Sequence, residues 1–512
     1  MHDPEKSDLP IVALKPANAA APAGAESVER RGRAKENASQ HGMCRTPSRE
    51  SMSSGLERVR TTAKLRKKEQ FTALLHHVTI ELLRDAYSWL KRDAAAGVDG
   101  VTWDDYGADL EANLADLHAR IHRGAYRAQP TRRVYIPKPD GRRRPLGIVV
   151  LEDKIVQRAL AELLNAIYEE DFLGFSYAFR PRRSQHDALD ALAVGIGSRK
   201  VNWILDADIA GFFDTVSHEW LTRFVEHRIG DQRVIRLIRK WLKAGVLEDN
   251  KIEIAETGTP QGAVISPLLA NIYLHYVFDL WAERWRRRTA TGDMIIVRYA
   301  DDIVVGFQHR HEAERFVDEL TQRLADFALQ LNLDKTRLIE FGRHAATNRK
   351  GRGLGKPEVF DFLGFTHICG RSRKGRFQLR RQSRRDRLRA KLREIRETVW
   401  QHRHAPIEEQ GSWLRRVVTG WFAYHAVPVN SPSLRLFRDG VIWHWRRALR
   451  RRGQRDQTSW KAITALANRW LPRPRILHPW PDQRFAVTHP RREPYALIGP
   501  VRFCAGCALQ AR

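Results

Sequence analysis

Apolar residues recur at helical spacing along both flanks of this chain, while its middle is marked by short β-branched runs that end in acids or turns. Leu74, Leu75, Val78, Leu82, Leu83 and Trp89 share one face between Phe71 and Lys91, and Leu110, Leu114, Leu117 and Ile121 repeat that spacing over Tyr106 to His122. Gly97-Val98-Asp99-Gly100 separates these two predicted helices. Arg132 to Val150 then reads as a hairpin turning at Pro139-Asp140-Gly141, with Lys138, Arg142, Arg143 and Arg144 crowded at its tip. Clustered cations repel one another unless an anion such as a triphosphate sits among them. A strong helix is predicted over Leu151 to Tyr168, followed by an aromatic and basic loop at Tyr177-Ala178-Phe179-Arg180-Pro181.

Val201 to Ile209 is a strand whose period of two puts Ile204, Asp206 and Asp208 on one face, with Gly211-Phe212-Phe213 turning the chain beyond it. Met294 to Val297 and Ile303 to Phe307 are too short for helices and form a hairpin with Asp301 and Asp302 at its tip. Inside a sheet those charges are costly to bury, whereas at a turn divalent cations can neutralise them. Two strands of one sheet can bring Asp208 to Asp301 and Asp302, enough carboxylates for two ions about 3.5–4 Å apart. Gly258-Thr259-Pro260-Gln261-Gly262 is a turn, and Ser266-Pro267 predicts a capped helix carrying Leu268, Ile272, Tyr276 and Leu280 on its core face. Leu331 to Thr336 and the aromatic strand Phe360 to Phe365 complete the unit.

These blocks, in this order, resemble a reverse transcriptase. More narrowly, Gly97 to Gly100, Leu151-Glu152-Asp153-Lys154-Ile155-Val156-Gln157-Arg158-Ala159 and Ile265-Ser266-Pro267-Leu268-Leu269-Ala270-Asn271 resemble the bacterial group II intron reverse transcriptase/maturases, from about Glu69 to Arg484. The resemblance implies an α+β right-hand polymerase: helical and hairpin fingers, an antiparallel-sheet palm, and an α-helical thumb and maturase region. Its catalytic acids would be Asp208, Asp301 and Asp302, holding two Mg²⁺ ions with the backbone carbonyl of Ile209. Lys138 and Arg144 would hold the incoming deoxynucleoside triphosphate, Phe213 would exclude a 2′-hydroxyl, and Lys335 would lie near the triphosphate as a proton donor. Gln261 and Gly262 would follow the template and nascent pair, and Phe362, Leu363 and Gly364 the primer end. The sequence departs from the family pattern at Ala178, where Gly is expected, at Ala263, where a small Gly or Ser is expected, and at Val149-Val150, where Pro-Thr is expected. These positions lie beside the site, away from its acids.

Charge adds a partner. Of the formal +29, Arg371 to Arg512 hold 33 Lys and Arg against 9 Asp and Glu, and a field of that size neutralises phosphate. A basic helix is predicted over Ser383 to Trp400. Trp413, Trp421, Tyr424, Trp443, Trp445, Trp460, Trp470 and Trp480 follow among arginines, at least half of them expected in a helical core. Arg384, Arg385, Arg446, Arg447, Arg450, Arg451 and Arg452 are the candidate RNA contacts. Expected partners are group II intron RNA, an RNA template with a DNA primer, and target DNA.

The expected organisation is a disordered basic leader over 1–64, fingers over 65–200, palm over 201–370, thumb and maturase region over 371–455, and a basic extension over 456–512. Four scattered cysteines fit a reducing cytoplasm, and Cys504-Ala-Gly-Cys507 lacks a second pair for zinc. The N-terminus has no apolar signal segment and no run of about twenty apolar residues occurs, so neither export nor a membrane partner is expected. No paired Cys-x-x-Cys with His clusters follows Pro481, so insertion into DNA is expected to use a primer supplied elsewhere. Two alternatives share these features: an RNA-binding maturase without polymerase turnover, and a related reverse transcriptase serving host defence or sequence diversification.

Overall fold

The computed structural model of the chain describes residues 47–137, 143–248, 251–253, 256–453 and 458–488. Lys138, Cys44 and the Cys504/Cys507 pair lie outside the described residues, and of Arg144 only the backbone is described.

The leader reading fails from Pro47 onward. Helix α1 (Pro47–Leu65) buries Val59 and Ala63, and Arg60 donates to Glu170 at 2.8 Å. Leu56, Val59 and Ala63 form a sparse apolar stripe that the polar composition of the segment conceals. The helix predicted over Phe71–Lys91 is confined to α2 (Ile80–Trp89), where the Thr79 hydroxyl accepts from the Leu82 N–H at 3.3 Å. The next is split at Asp109 into α3 (Trp103–Ala108), started by a Thr102/Asp105 capping box, and α4 (Leu110–His122).

Strands β1 (Thr131–Pro137) and β2 (Arg143–Ile148) pair antiparallel, Arg132 opposite Ile148. Helix α5 (Leu151–Tyr168) occupies the predicted range and is buried on most of its surface. After α6 (Gln185–Ser198) comes β3 (Trp203–Asp208), then α7 (Phe212–Thr215), α8 (His218–Arg228) and α9 (Gln232–Lys243). Short strands β4 (Val246–Glu248) and β5 (Lys251–Glu253) extend the β1–β2 sheet, β4 running parallel to β1. Helix α10 (Ser266–Leu274) passes through a π turn at His275–Asp279 into α11 (Leu280–Arg288). Ser266 is its first helical residue rather than its cap; the hydroxyl donates to the Pro260 carbonyl at 3.0 Å.

The central sheet adds β6 (Met294–Tyr299), β7 (Asp302–Phe307) and, beyond α12 (Arg310–Ala325), β8 (Arg337–Glu340), in the antiparallel order β6-β7-β3-β8. Both faces are covered, which explains its unbroken apolar runs. Leu205, Ala207, Ile296, Ile303 and Val305 belong to the core shared with α5, α10 and α12. Ile204, Ile295, Val297 and Val304 face α6 and the aromatic strand β9 (Phe360–Phe362), which follows α13 (Ala345–Gly351).

Strands β10 (Phe365–Arg371) and β11 (Phe377–Ser383) pair beside β9, so the expected boundary at 370 cuts one hairpin. Helices α14 (Arg385–Gln401), α15 (Ile407–His425), α16 (Ser431–Leu449) and α17 (Trp460–Trp470) share a core of Ile395, Leu414, Phe437, Trp445, Ile463 and Ala467. The boundary at 455 therefore divides one bundle. Helix α18 (Pro481–Thr488) returns to α6, where Phe485 is buried and Arg484 pairs with Asp190 at 3.2 Å. Among the described residues no helix is long and apolar enough to cross a membrane.

Candidate active site

A charged side chain inside an apolar strand demands a partner, and Arg298 on β6 has several. Its guanidinium, fully buried, donates to both Asp279 oxygens at 2.7 and 2.6 Å, to Asn271 at 3.1 Å, to the Ser176 hydroxyl at 2.7 Å and to the Ala300 carbonyl at 3.1 Å. Burial alone would raise the Asp279 carboxyl, but Arg298 and His275 outweigh it and hold the group below the usual carboxylate range. Asp279 ends the π turn, a local widening of the helix that recurs at functional sites. The backbone joins in: Arg298 N–H donates to the Phe175 carbonyl at 2.8 Å and Tyr177 N–H to the Arg298 carbonyl at 3.0 Å. This frame fixes Ala300 at φ 57°, a left-handed conformation that costs a non-glycine residue of order 1 kcal/mol or more. That conformation makes the tight turn carrying Asp301 and Asp302.

On the neighbouring strand, Asp208 stands directly opposite Asp302 in the β3–β7 register. Like charges so placed destabilise a sheet. Asp302 is open to solvent, yet its carboxyl is pushed up to about 7: crowding by surrounding protein atoms contributes most, then the charges of Asp301, Asp208 and Asp206, with Arg387 opposing. Asp206, one step inward on the same face, is raised to about 6, chiefly by burial and against Arg337. Asp208 accepts from the Lys335 ammonium at 2.8 Å and from the Asn332 amide at 3.2 Å, and its carbonyl accepts the Asn332 N–H at 2.8 Å. Ile209 continues the strand through a bridge to Leu331. Among the described residues no three His, Cys, Asp or Glu are gathered closely enough to hold a metal ion as they stand. The donors are nevertheless hard oxygens, and their crowded charge suits a divalent cation.

The Gly258–Gly262 loop ties this floor to the basic hairpin. Thr259 N–H donates to the Phe213 carbonyl at 2.7 Å, and Gly147 N–H on β2 to the Gln261 carbonyl at 2.7 Å. Gly262 has φ 117°, and a Cβ there would lie 2.6 Å from the Gly147 oxygen, so glycine is required for this approach. Phe213 is half-buried, its ring edge-on to Phe212 at 5.4 Å. The departures from the family pattern are all accommodated: Ala178 is buried with its carbonyl accepting from Asn271 at 2.7 Å, Ala263 is buried, and Gly97 packs against Val150.

Phe362 is core, and the tight turn is formed by Leu363 and Gly364 at φ 46° and 80°. Tyr424 on α15 donates to the Leu363 carbonyl at 2.7 Å, and Arg387 on α14 lies beside Gly364, so the helical bundle borders the site. The candidate RNA arginines divide. Arg384 pairs with Asp386 at 2.6 Å and Asp361 at 3.4 Å, Arg446 donates to the Thr458 carbonyl at 3.0 Å, and Arg452 bonds the Arg403 and Ala405 carbonyls. Arg385, Arg447, Arg450 and Arg451 are exposed. Of the tryptophans, Trp413, Trp421, Trp445 and Trp470 pack in or against the bundle core, while Trp443, Trp460 and Trp480 are exposed.

Residues 136–367 match the family model for reverse transcriptase (RNA-dependent DNA polymerase), which spans the acids, the Gly258–Gly262 loop and the Leu363–Gly364 turn. Protein YkfC of Escherichia coli is 36% identical over 318 residues, covering 55% of this chain and 78% of that protein. The chain belongs to the group II intron reverse transcriptase/maturase family. The group II intron-encoded protein LtrA of Lactococcus lactis is 36% identical over 222 residues, 43% of this chain, and an uncharacterized 91 kDa protein in the cob intron of Schizosaccharomyces pombe is 44% identical over 146 residues, 28% of this chain. The matches cover only 37% and 18% of those two proteins.

Sequence reasoning missed Arg298, Asp279, Asn271 and Arg387. A lone arginine inside the run Met294 to Tyr299 was the available signal for the first.

Two outcomes follow. Arg298→Met leaves Asp279 buried without its cation and is expected to destabilise the protein by about 3–5 kcal/mol; an unchanged melting temperature contradicts the anchoring role. For Asp302 the folded value exceeds the unfolded one, so folding takes up a proton and the group's contribution to stability falls as pH rises from about 4 to about 7. Without divalent cations, Asp302→Asn should therefore gain stability over wild type progressively across that window; parallel melting curves with pH would contradict the shift.

Proposed function

We propose that this chain is an RNA-directed DNA polymerase that also binds group II intron RNA to aid splicing and retrohoming. The observation that carries the reading is the register of Asp208 against Asp302 at one end of a sheet, with Asp301 in the adjoining anchored turn. In this reading β1–β2 with the N-terminal helices are the fingers, the β6-β7-β3-β8 sheet the palm, and α14–α17 the thumb and maturase region. Asp208, Asp301, Asp302 and the Ile209 carbonyl would hold two Mg²⁺ ions, which when bound would activate the primer hydroxyl and steady the leaving pyrophosphate.

The chain's own residues do the rest. Lys138 and Arg144 draw the triphosphate to the hairpin, and the Phe213 ring blocks the space of a 2′-hydroxyl, favouring deoxynucleotides. Lys335, exposed and paired with Asp208, would be close enough to an incoming triphosphate for its ammonium to act as a proton donor. Gln261 and Gly262 border the template, and Leu363 with Gly364 the primer end. Arg385, Arg447, Arg450 and Arg451 offer phosphate contacts to intron RNA, and exposed Trp443, with the Arg447 guanidinium 5.4 Å from its ring centre, offers a stacking surface. A cytoplasmic setting suits these substrates, and insertion into target DNA would use a primer supplied elsewhere, such as a nascent strand.

Primer extension on an RNA template with deoxynucleotides and Mg²⁺ tests this. Asp301→Asn/Asp302→Asn is expected to lose extension by at least about a thousandfold, the equivalent of about 4 kcal/mol, with RNA affinity kept. No extension by the wild-type protein, with tight and salt-sensitive RNA binding, would favour the maturase-only reading.

A further inference from the structure

A second cationic surface lies outside the site and outside the basic C-terminal region. Helix α9 carries Arg233, Arg236, Arg239, Lys240 and Lys243 and no acid, while Val234, Ile235, Leu237, Ile238, Trp241 and Leu242 bury its other face. On α12, by contrast, basic residues are balanced within the helix: Arg310 pairs with Glu314 at 2.8 Å and Arg315 with Glu319 at 2.6 Å. Among the described residues, two cations of α9 pair with carboxylates, Arg233 with Asp231 and Arg239 with Glu226. Arg236 reaches the carbonyl of Gln232, and neither it, Lys243 nor Arg127 has a carboxylate partner among the described residues.

These three cations, with Arg239 and Lys240, line one groove of about 560 Å³, and Ile252 on β5, 57% exposed, supplies an apolar patch beside them. Arg236 and Lys243 are seven residues apart, about 10 Å along the helix axis, so more than one backbone phosphate can sit between them. The groove opens at the base of β1, where Thr131 N–H donates to the Gly245 carbonyl at 3.0 Å. It is thus at the foot of the same hairpin whose second strand docks on Gln261.

We propose that this groove binds the phosphodiester backbone of RNA, a contact separate from the C-terminal arginines. Mutual repulsion of cations on one wall is relieved by phosphates, whose bound counterions are released. Ile252 then offers an uncharged surface to a ribose or base. The inference rests on the reading of the chain as an RNA-using protein, and the RNA has two possible sources, a single-stranded template extending ahead of the site or a folded stem.

The test measures the binding of the full chain, wild type and Arg236→Ala/Lys243→Ala, as a function of KCl. Three probes are used: a primer–template with a short overhang, the same duplex with a long single-stranded template overhang, and an RNA stem-loop. The variant is expected to bind at least one of the last two about tenfold more weakly, with a salt slope shallower by about 1 to 2. Loss confined to the long overhang assigns the template, loss confined to the stem-loop assigns folded RNA, and loss on both assigns backbone from either source. Equal affinities and slopes for wild type and variant on all probes overturn the proposal. Extension on the short-overhang probe, expected equal in both proteins, reports separately on polymerase function; its failure in wild type would remove that reading while the binding slopes still decide the groove.

Discussion

A buried ion pair usually contributes little net stability, because removing two charges from water costs about as much as their attraction returns. Arg298 and Asp279 are better understood as a locating device. Their contacts extend to Ser176, Asn271 and the Ala300 carbonyl, so one guanidinium ties strand β6, helix α10 and its π turn, and the loop before α6 to the same point. What it locates is a turn whose Ala300 conformation is unfavourable in isolation. Rigid support of this kind lets Asp302 be held opposite Asp208 despite their repulsion, with Asp301 beside it in the turn.

The consequences spread outward along the backbone. The register that places Asp208 against Asp302 also sets the position of Phe213 beyond it, and the Phe213 carbonyl receives the Thr259 N–H. The same loop, through Gln261, receives β2, so the basic hairpin is indexed to the acids by hydrogen bonds rather than by side-chain packing alone. On the opposite side Arg387 lowers the cost of charge on Asp302 while bordering Gly364, and Tyr424 holds the Leu363 carbonyl. Helical bundle, turn and acids therefore form one connected unit.

Much of this was legible in the residues. The period-two run ending at Asp208 and the interrupted run around Asp301 and Asp302 carry strand, face and tip directly, because a two-sided sheet needs continuous β-branched residues. Helix α5 was equally plain from its spacing. The structure differs where a weak stripe lies in polar company, as with Val59 and Ala63 in α1, and where long-range packing claims a tail, as with Phe485 on α6. The arginines show the limit of composition: Arg384, Arg446 and Arg452 look alike in sequence to Arg385 and Arg450, yet spend their donors on carboxylates and carbonyls. Partners distant in the chain, such as Asp279 for Arg298, leave no periodic trace at all.

Under the proposed function, the end of β3 and the Arg298-anchored turn together make one divalent-cation site. Anomalous diffraction from crystals of the protein with primer, RNA template, a deoxynucleoside triphosphate and Mn²⁺ tests it most directly. The account predicts two Mn²⁺ peaks about 3.5–4 Å apart between Asp208 and the Asp301–Asp302 turn. Ions bound elsewhere would contradict it.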